Sequence, residues 1–145
     1  MSSQKVISRD LLDKPKDCYC QSGKAAEDCC LPILEGRIQA SSPEALMRSR
    51  YTAFCLENIE YLQQTTDPAK QESFDLELNK SWASKAEFTG LEILASEEMA
   101  DTGRVEFKAS FDFDGESRTH HEDSVFKRIG GRWYFHSGEV FEEDS

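Results

Sequence analysis

Four of the chain's five cysteines fall within a stretch of 13 residues, in a pattern that favours a metal site. They form two close pairs, Cys18 with Cys20 and Cys29 with Cys30. Four thiolates that converge from one short loop suit tetrahedral zinc, with Zn–S distances of about 2.3 Å. The alternative is a set of buried or oxidised thiols, although packing alone seldom gathers so many cysteines. The spacing therefore predicts one structural zinc ion bound by all four cysteines, with no open position for a substrate.

The charge of the chain narrows the classes of partner that it can bind. It has 17 Lys and Arg against 28 Asp and Glu, which gives a formal charge of −11. Such a protein repels phosphate backbones and anionic membranes, which disfavours nucleic-acid and membrane binding. No apolar run approaches the ~18–20 residues of a membrane helix, and the N-terminus shows no signal-peptide pattern. We therefore expect a cytoplasmic protein, whose reducing surroundings favour metal binding over disulfides.

The elements that must position these residues begin with helices. Residues 1–35 are expected to form a loose arm and the cysteine module, and residues 36–145 the main domain. Ser42-Pro43-Glu44 is a favourable helix start, with a capping serine and a proline in the first turn. Apolar side chains follow at helical spacing: Met47, Tyr51, Phe54, Cys55 and Leu62. Asn58 lies within this stripe and allows either one helix or two.

A second amphipathic helix is predicted from Asp67-Pro68, which repeats the order of capping residue and proline. Phe74, Leu78 and Trp82 recur every four residues and give this helix its apolar stripe. Cys55, on the first stripe, is expected to be a small packed side chain, and a reactive thiol is the alternative.

The second half of the chain alternates apolar and polar residues, which is typical of half-buried strands. The strongest alternation runs from Val105 to Phe113, and a weaker one runs from Leu91 to Ala95. Asp114-Gly115 and Gly130-Gly131 have the composition of two-residue hairpin turns. Further strands are expected after these turns: Arg118–Ile129 and Trp133–Val140. Helices followed by an antiparallel meander predict an α+β fold with helices on one sheet face, ending in a frayed acidic tail.

Two-residue turns also determine which side chains share a sheet face. The first turn pairs Phe107 with Glu122 and Val105 with Ser124, and the face that carries Val105 should be covered by the helices. Further residues are then expected to point inward: Arg118, His120, Phe126, Trp133 and Phe135. His136 should lie on the outer face, in solvent.

The cysteine module resembles the SEC-C motif. Residues 18–24, together with Cys29 and Cys30, match this zinc motif, which occurs at the C-terminus of the SecA translocation ATPase and in several other bacterial proteins. The resemblance implies zinc ligation by the same four cysteines. It does not imply binding to the acidic chaperone SecB, because residues 24–28 lack the lysines of the SecA motif.

A wider pattern, over about residues 17–138, resembles the bacterial YchJ-like family. Four segments carry it: residues 48–54, 61–68, 121–126 and 131–134. The resemblance implies the cone-shaped fold of nuclear transport factor two, in which a curved antiparallel sheet packs on helices, beside the zinc module. The family has no established biochemical function. Many relatives carry a second SEC-C motif at the C-terminus, which this chain lacks, so one zinc is expected.

A cone-shaped sheet often leaves an opening in which small ligands bind. Seven residues are candidates for this pocket: Tyr51, Trp82, Phe107, His120, Glu122, Ser124 and Trp133. Glu122 would carry any chemistry, since a carboxylate in an apolar cone can act as a general base. The alternative, which we expect, is a structural Glu122 that accepts hydrogen bonds from Tyr51, Arg50 or a helix terminus. For Arg48 and Arg50, ion pairs with the many acids are expected rather than anion binding.

Two classes of function remain open on this basis. The leading hypothesis is a non-enzymatic, zinc-containing adaptor that binds a protein partner through the SEC-C module, because a closed cysteine set leaves no metal position for a substrate. The alternative is a small-molecule binder or an enzyme in the cone, with Glu122 as acid or base. A homodimer through the outer sheet face, with Tyr134 in the contact, is a further hypothesis.

Overall fold

The computed structural model describes residues 17–141, and most of the predicted N-terminal arm and the end of the acidic tail lie outside them. The described chain begins with the cysteine loop, which an antiparallel bridge between Asp17 and Ala25 closes. A 3₁₀ turn at Ala26–Asp28 and the short helix α1, Leu31–Leu34, follow directly.

The first predicted stripe forms two helices, α2 (Pro43–Cys55) and α3 (Ile59–Gln64). Ser42 caps α2, because its hydroxyl accepts a hydrogen bond from a first-turn N–H at 3.0 Å. The Asn58 side chain caps α3 in the same way, and Glu57 turns the chain between the helices with a φ of 58°. The two-helix alternative is therefore correct, since Asn58 starts a new helix rather than continuing the first.

The second predicted helix is divided, so the prediction of one continuous helix is wrong. Asp67 caps only a 3₁₀ segment, Pro68–Ser73, and the chain is extended at Phe74. Helix α4 (Leu76–Lys85) then begins at a cap of its own, where the Asp75 carboxylate accepts a first-turn N–H at 2.9 Å. Two capping aspartates divide the segment, because each favours a helix start.

This division also changes the buried face of α4. Leu78, which the stripe predicted to be apolar core, is 65% exposed. Phe74 and Leu76 pack instead against a cluster of buried helix residues that includes Ala83. The four-residue spacing was counted across the break at residues 74–75, so it wrongly placed Leu78 on the buried face of the helix.

Four antiparallel strands form one sheet in the order β1-β2-β3-β4. They span Ala86–Glu98, Thr102–Phe113, Glu116–Ile129 and Arg132–Phe141. The β2–β3 register is the predicted one, with Phe107 opposite Glu122 and Val105 opposite Ser124. Val105 and Phe107 are buried in the core with residues of α2, so the inner face of the sheet is also the predicted one.

The β3–β4 pairing contains a bulge. The predicted pair of Phe126 with Phe135 is present, but the register shifts directly after it and leaves His136 as an extra residue. The prediction that His136 is solvated is wrong, because its Nδ1 atom lies 2.9 Å from Asp67 Oδ2 and its side chain is half-buried. The bulge is not encoded in hairpin parity, which assumes continuous pairing.

The sheet, α2 and the cysteine loop share one apolar core. Cys18, Cys20 and Cys30 are buried in the same cluster as residues of α2 and the sheet: Leu46, Met47, Tyr51, Leu91, Val105, Phe107, Ala109, Phe126 and Trp133. A second cluster joins the helices: Ala53, Ile59, Tyr61, Leu62 and Ala83. Within residues 17–141, no helix is both long enough and apolar enough to span a membrane.

Candidate functional site

The four cysteine sulfurs converge within the loop. Their Sγ atoms all lie within 4.8 Å of one another, and Cys29 Sγ lies 3.5 Å from Cys20 Sγ and 3.8 Å from Cys30 Sγ. The edges of a tetrahedron of thiolates around zinc are about 3.8 Å long when Zn–S is about 2.3 Å. Cys29 is half-buried and the other three are buried. The donor set therefore fits a closed four-thiolate metal centre.

Local backbone geometry brings the two cysteine pairs together. The Cys18 N–H donates to the Lys24 carbonyl at 2.9 Å and closes the loop. Gly23 adopts a φ of 91° in the turn between them, a conformation that glycine tolerates without steric cost. The turn places the Ser22 hydroxyl 3.2 Å from Cys29 Sγ. Ser22, which follows the first cysteine pair, therefore contacts a cysteine of the second pair through its hydroxyl group.

The pKa values of the thiols differ strongly. Hydrogen bonds, above all with Cys30, lower the pKa of Cys20 to about 4 despite its burial. Burial raises the pKa of Cys29, and the contact with Cys20 raises that of Cys30. Without a cation, Cys20 therefore ionises more readily than Cys29 and Cys30 do. A divalent metal ion would stabilise the remaining thiolates and release their protons.

Helix α2 holds the loop in place. Arg48 Nη1 donates to the Cys20 carbonyl at 2.7 Å, and Arg48 Nε donates to the Glu44 carboxylate at 3.0 Å. One turn later, Thr52 Oγ1 lies 3.7 Å from Cys18 Sγ. Arg48 thus forms the expected ion pair. It also connects residues 17–30, called the metal loop below, to the main domain through a hydrogen bond.

A second candidate site lies between α2, α4 and the inner face of the sheet. It is a cavity of about 270 Å³. Six of the seven predicted pocket residues line it: Tyr51, Trp82, Phe107, His120, Glu122 and Ser124. Phe54, Phe88, Phe126 and Phe135 make the rest of the wall largely aromatic, and Arg50 and Asn79 add polar groups.

Trp133 does not line this cavity, which corrects the prediction. It is 3% exposed and lines a separate cleft with Leu46 and Tyr61. Hairpin parity determines the sheet face of a side chain but not its position along the strand. Trp133 lies opposite Arg128, close to the Gly130-Gly131 turn, and Glu122 lies far along the same hairpin.

Glu122 lies in the cavity wall, and each carboxylate oxygen has one partner from its own strand. Oε1 lies 2.7 Å from His120 Nε2, and the Ser124 hydroxyl donates to Oε2 at 2.6 Å. The three residues meet because side chains two positions apart share a strand face. Burial raises the pKa of Glu122, but the hydrogen bonds from His120 and Ser124 outweigh it, so the pKa lies below its usual value. Among the described residues, the expected donors Tyr51 and Arg50 do not hydrogen-bond to it.

The sequence reasoning missed Gly138, which lies against Glu122, and gave Arg50 a partner that it lacks among the described residues. A Cβ atom on Gly138 would collide with the Glu122 carboxylate, and a glycine inside a strand is a known signal of such a close approach. Arg50 was expected in an ion pair, yet among residues 17–141 it forms no salt bridge. It lies on the inward side of α2, where no acid of the described residues lies within salt-bridge distance.

Cys55, the fifth cysteine, lies apart from both sites. It is half-buried against the main core cluster, and burial raises the pKa of its thiol to about 11. A protonated thiol at neutral pH is a poor nucleophile, which agrees with the expected packing role.

The chain is similar in sequence and in fold to known proteins. Residues 42–138 match the family profile described as "YchJ, middle NTF2-like domain". The chain is 42% identical, over 120 residues, to a UPF0225 protein of Actinobacillus succinogenes; the match covers 81% of this chain and 78% of the relative. It resembles the solution structure of a SEC-C motif protein from Rhodopseudomonas palustris, with 44% identity and a TM-score of 0.81 over 86% of this chain and 98% of that one. A second SEC-C motif protein, from Psychrobacter arcticus, has 32% identity and a TM-score of 0.78 over 90% and 85% of the two chains.

Proposed function

The chain belongs to the YchJ-like family, which includes the UPF0225 proteins, and we propose that it binds a small, largely apolar molecule in the cavity of its NTF2-like cone. The observation that carries this proposal is a cavity of about 270 Å³ with Glu122 in its wall. Protein interiors are close-packed, and ligand pockets are apolar spaces of about 300 Å³ upward with a few placed polar groups. This cavity has that composition and its volume is just below that size range.

Binding is favoured over acid–base catalysis by the state of Glu122. An effective general base has a pKa near the working pH. The hydrogen bonds to Glu122 keep its pKa below the usual carboxyl value, so its oxygens are strong hydrogen-bond acceptors but weak bases. Glu122 therefore suits the orientation of a ligand better than the removal of a proton.

We propose further that the metal of the cysteine loop is zinc and that its role is structural. Four thiolates with no open position are typical of structural zinc, and such a site supplies folding free energy when the metal binds. Cys18, Cys20, Cys29 and Cys30 would hold the ion, and the buried position of three of them supports a structural role. A thiolate site of this kind needs reducing surroundings, which supports a cytoplasmic location.

The cavity is tested by ligand-observed NMR with a library of small, neutral aromatic fragments. Wild type is expected to bind several of them, and Ala109→Leu, which adds three carbons to a residue of the cavity wall, is expected to lose at least tenfold in affinity. Lys108→Leu is the matched control, because it makes the same residue on the exposed face of β2. Equal binding by the Ala109→Leu variant, or no fragment bound by wild type, would contradict the proposal.

A second candidate is a protein contact through the metal loop, and one observation favours it. Tyr19, between two buried cysteines, is 45% exposed and borders an open surface cleft with Cys55 and Phe88. Exposed aromatic residues are typical centres of protein interfaces. A pull-down that compares wild type with Tyr19→Ser tests this candidate; loss of a specific partner on substitution is the expected result, and unchanged recovery of every partner opposes it.

A further inference from the structure

Arg50 is a cation in the cavity wall, and it forms no salt bridge with any of the described residues. Its Nη1 atom donates to the Leu62 carbonyl at 2.9 Å and to Thr65 Oγ1 at 2.7 Å. Its guanidinium carbon lies 4.6 Å from the centroid of the Phe135 ring. These partners are all uncharged. They fix the position of the guanidinium group without neutralising it.

The guanidinium group of Arg50 has donors to spare. Arginine carries five N–H donors in a planar fork, and the hydrogen bonds of Arg50 to described residues all come from Nη1. Nε and Nη2 therefore have no hydrogen-bond partner within residues 17–141. Burial lowers the pKa of Arg50 to about 10, so the group remains charged at neutral pH.

Nearby Arg48 shows the kind of pairing that Arg50 lacks among the described residues. Arg48, on the same helix, pairs with Glu44 at 3.0 Å. The chain has 28 acidic residues, yet none of those described forms an ion pair with Arg50. Because Nε and Nη2 of Arg50 keep free N–H donors at the cavity wall, an anion from outside the described residues is a fitting partner.

Glu122 supplies the opposite charge on the same cavity wall. It forms no salt bridge with Arg50, so the two charges attract each other only without direct contact. A carboxylate has about four acceptor positions, and within the described residues His120 and Ser124 fill two of those of Glu122. The wall thus offers a fork of donors at one point and a free acceptor position at another.

We infer that the ligand of the cone is a small aromatic acid, whose carboxylate pairs with Arg50 and whose N–H or O–H group donates to Glu122. The flat body of such a molecule would pack against Trp82, Phe88 and Phe107, which line the same cavity. Arginine binds carboxylates through two parallel hydrogen bonds, which gives both affinity and orientation. This inference rests on the proposed function, because it specifies the ligand class of the same cavity.

The experiment uses three probes of one shape and different charge: indole-3-acetate, its neutral amide indole-3-acetamide, and the cation tryptamine. Dissociation constants are measured by NMR titration with the full-length, metal-loaded protein. Indole-3-acetate is expected to bind at least tenfold more tightly than the amide, which has the same shape but no charge. Arg50→Gln is expected to abolish this preference and to change the affinity for the amide by less than threefold.

Arg48→Gln is the matched control, since it removes the same charge from the same helix at a residue that contacts the metal loop. It should leave the preference for the acid intact. If Arg50→Gln fails to fold, Arg50→Lys keeps the charge without the planar fork and should reduce the preference at least threefold. An unchanged preference in either folded variant of Arg50 overturns the inference.

The other outcomes separate the inference from the proposed function. Equal binding of acid and amide, or tightest binding of tryptamine, overturns the inference while the cavity remains a binding site. Failure of all three probes also overturns it. The proposed function itself fails if wild type also binds none of the neutral fragments, or if Ala109→Leu binds them as tightly as wild type does.

Discussion

Helix α2 borders two sites that differ in packing and in charge pairing: the metal loop and the cavity. Arg48 and Thr52 contact the metal loop, where the cysteines are packed into the core and Arg48 has a carboxylate partner. Arg50 and Phe54 line the cavity, where space remains and Arg50 has no acidic partner among the described residues. One face of the helix is closed by a metal centre and the other is left open. We therefore expect the loop to govern stability and the cavity to govern binding.

The largest expected effect comes from the metal loop. Metal binding to structural thiolate sites contributes on the order of 10 kcal/mol of folding free energy, which is comparable to the whole stability of a typical domain, about 5–15 kcal/mol. Cys30→Ser should therefore leave little folded protein and no bound zinc, measured by circular dichroism and elemental analysis. Cys55→Ser is the control, because this cysteine lies outside the metal set, and it should retain one zinc per chain.

Chelation of the wild-type protein tests the same point without a substitution. A module bounded at residue 35, as the sequence suggests, would come apart alone and leave the cone folded. The shared core of Cys18, Cys20 and Cys30 with α2 and the sheet predicts a cooperative loss of structure in both parts. Amide spectra that keep the dispersed signals of β2 and β3 after chelation would contradict the shared-core prediction.

Much of the sheet could be predicted from the sequence, because its determinants are local. A two-residue turn at Asp114-Gly115 determines the register of the whole hairpin, and the pairs of Phe107 with Glu122 and Val105 with Ser124 follow from it. The division at Asp75 was missed, since a periodic stripe and a capping residue gave competing signals. The bulge at His136 was missed because its partner, Asp67, is distant in sequence.

The two sites also differ in how well they can be predicted from local sequence. The four cysteines are close in sequence, and their clustering follows from one short loop. The environment of Arg50 depends instead on α3 and the sheet, and neither can be determined from the neighbours of Arg50 in the chain. Trp133 lies on the predicted face of the sheet but lines a different cleft, because hairpin parity does not determine the position of a residue along the strand.

The smallest expected effect separates two histidine–carboxylate pairs on neighbouring positions of β3. His120 pairs with Glu122 in the cavity and His121 pairs with Glu106, both at 2.7 Å. The Glu122 side chain is 14% exposed and that of Glu106 is 32% exposed. Hydrogen bonds to a buried charged group contribute about 1.5–3 kcal/mol, whereas exposed ion pairs contribute less than about 1 kcal/mol. At pH 7, Glu122→Gln should therefore reduce the free energy of unfolding by more than Glu106→Gln, measured by urea denaturation.

The pH dependence of this difference provides the sharper test. Because the pKa of Glu122 is lowered in the folded protein, its stabilising effect is complete above the unfolded carboxyl pKa of about 4.3 and is lost as the pH falls through the lower, folded value. The stability difference between wild type and Glu122→Gln should thus decline as the pH falls below about 4. Among the described residues, the ionisable groups that interact with Glu122 are His120 and Arg50, so Glu122→Gln also removes the anion that both face. A difference that instead grows as the pH falls below about 4 would mean that Glu122 is destabilised as an anion, which would favour a role in proton transfer over one in binding.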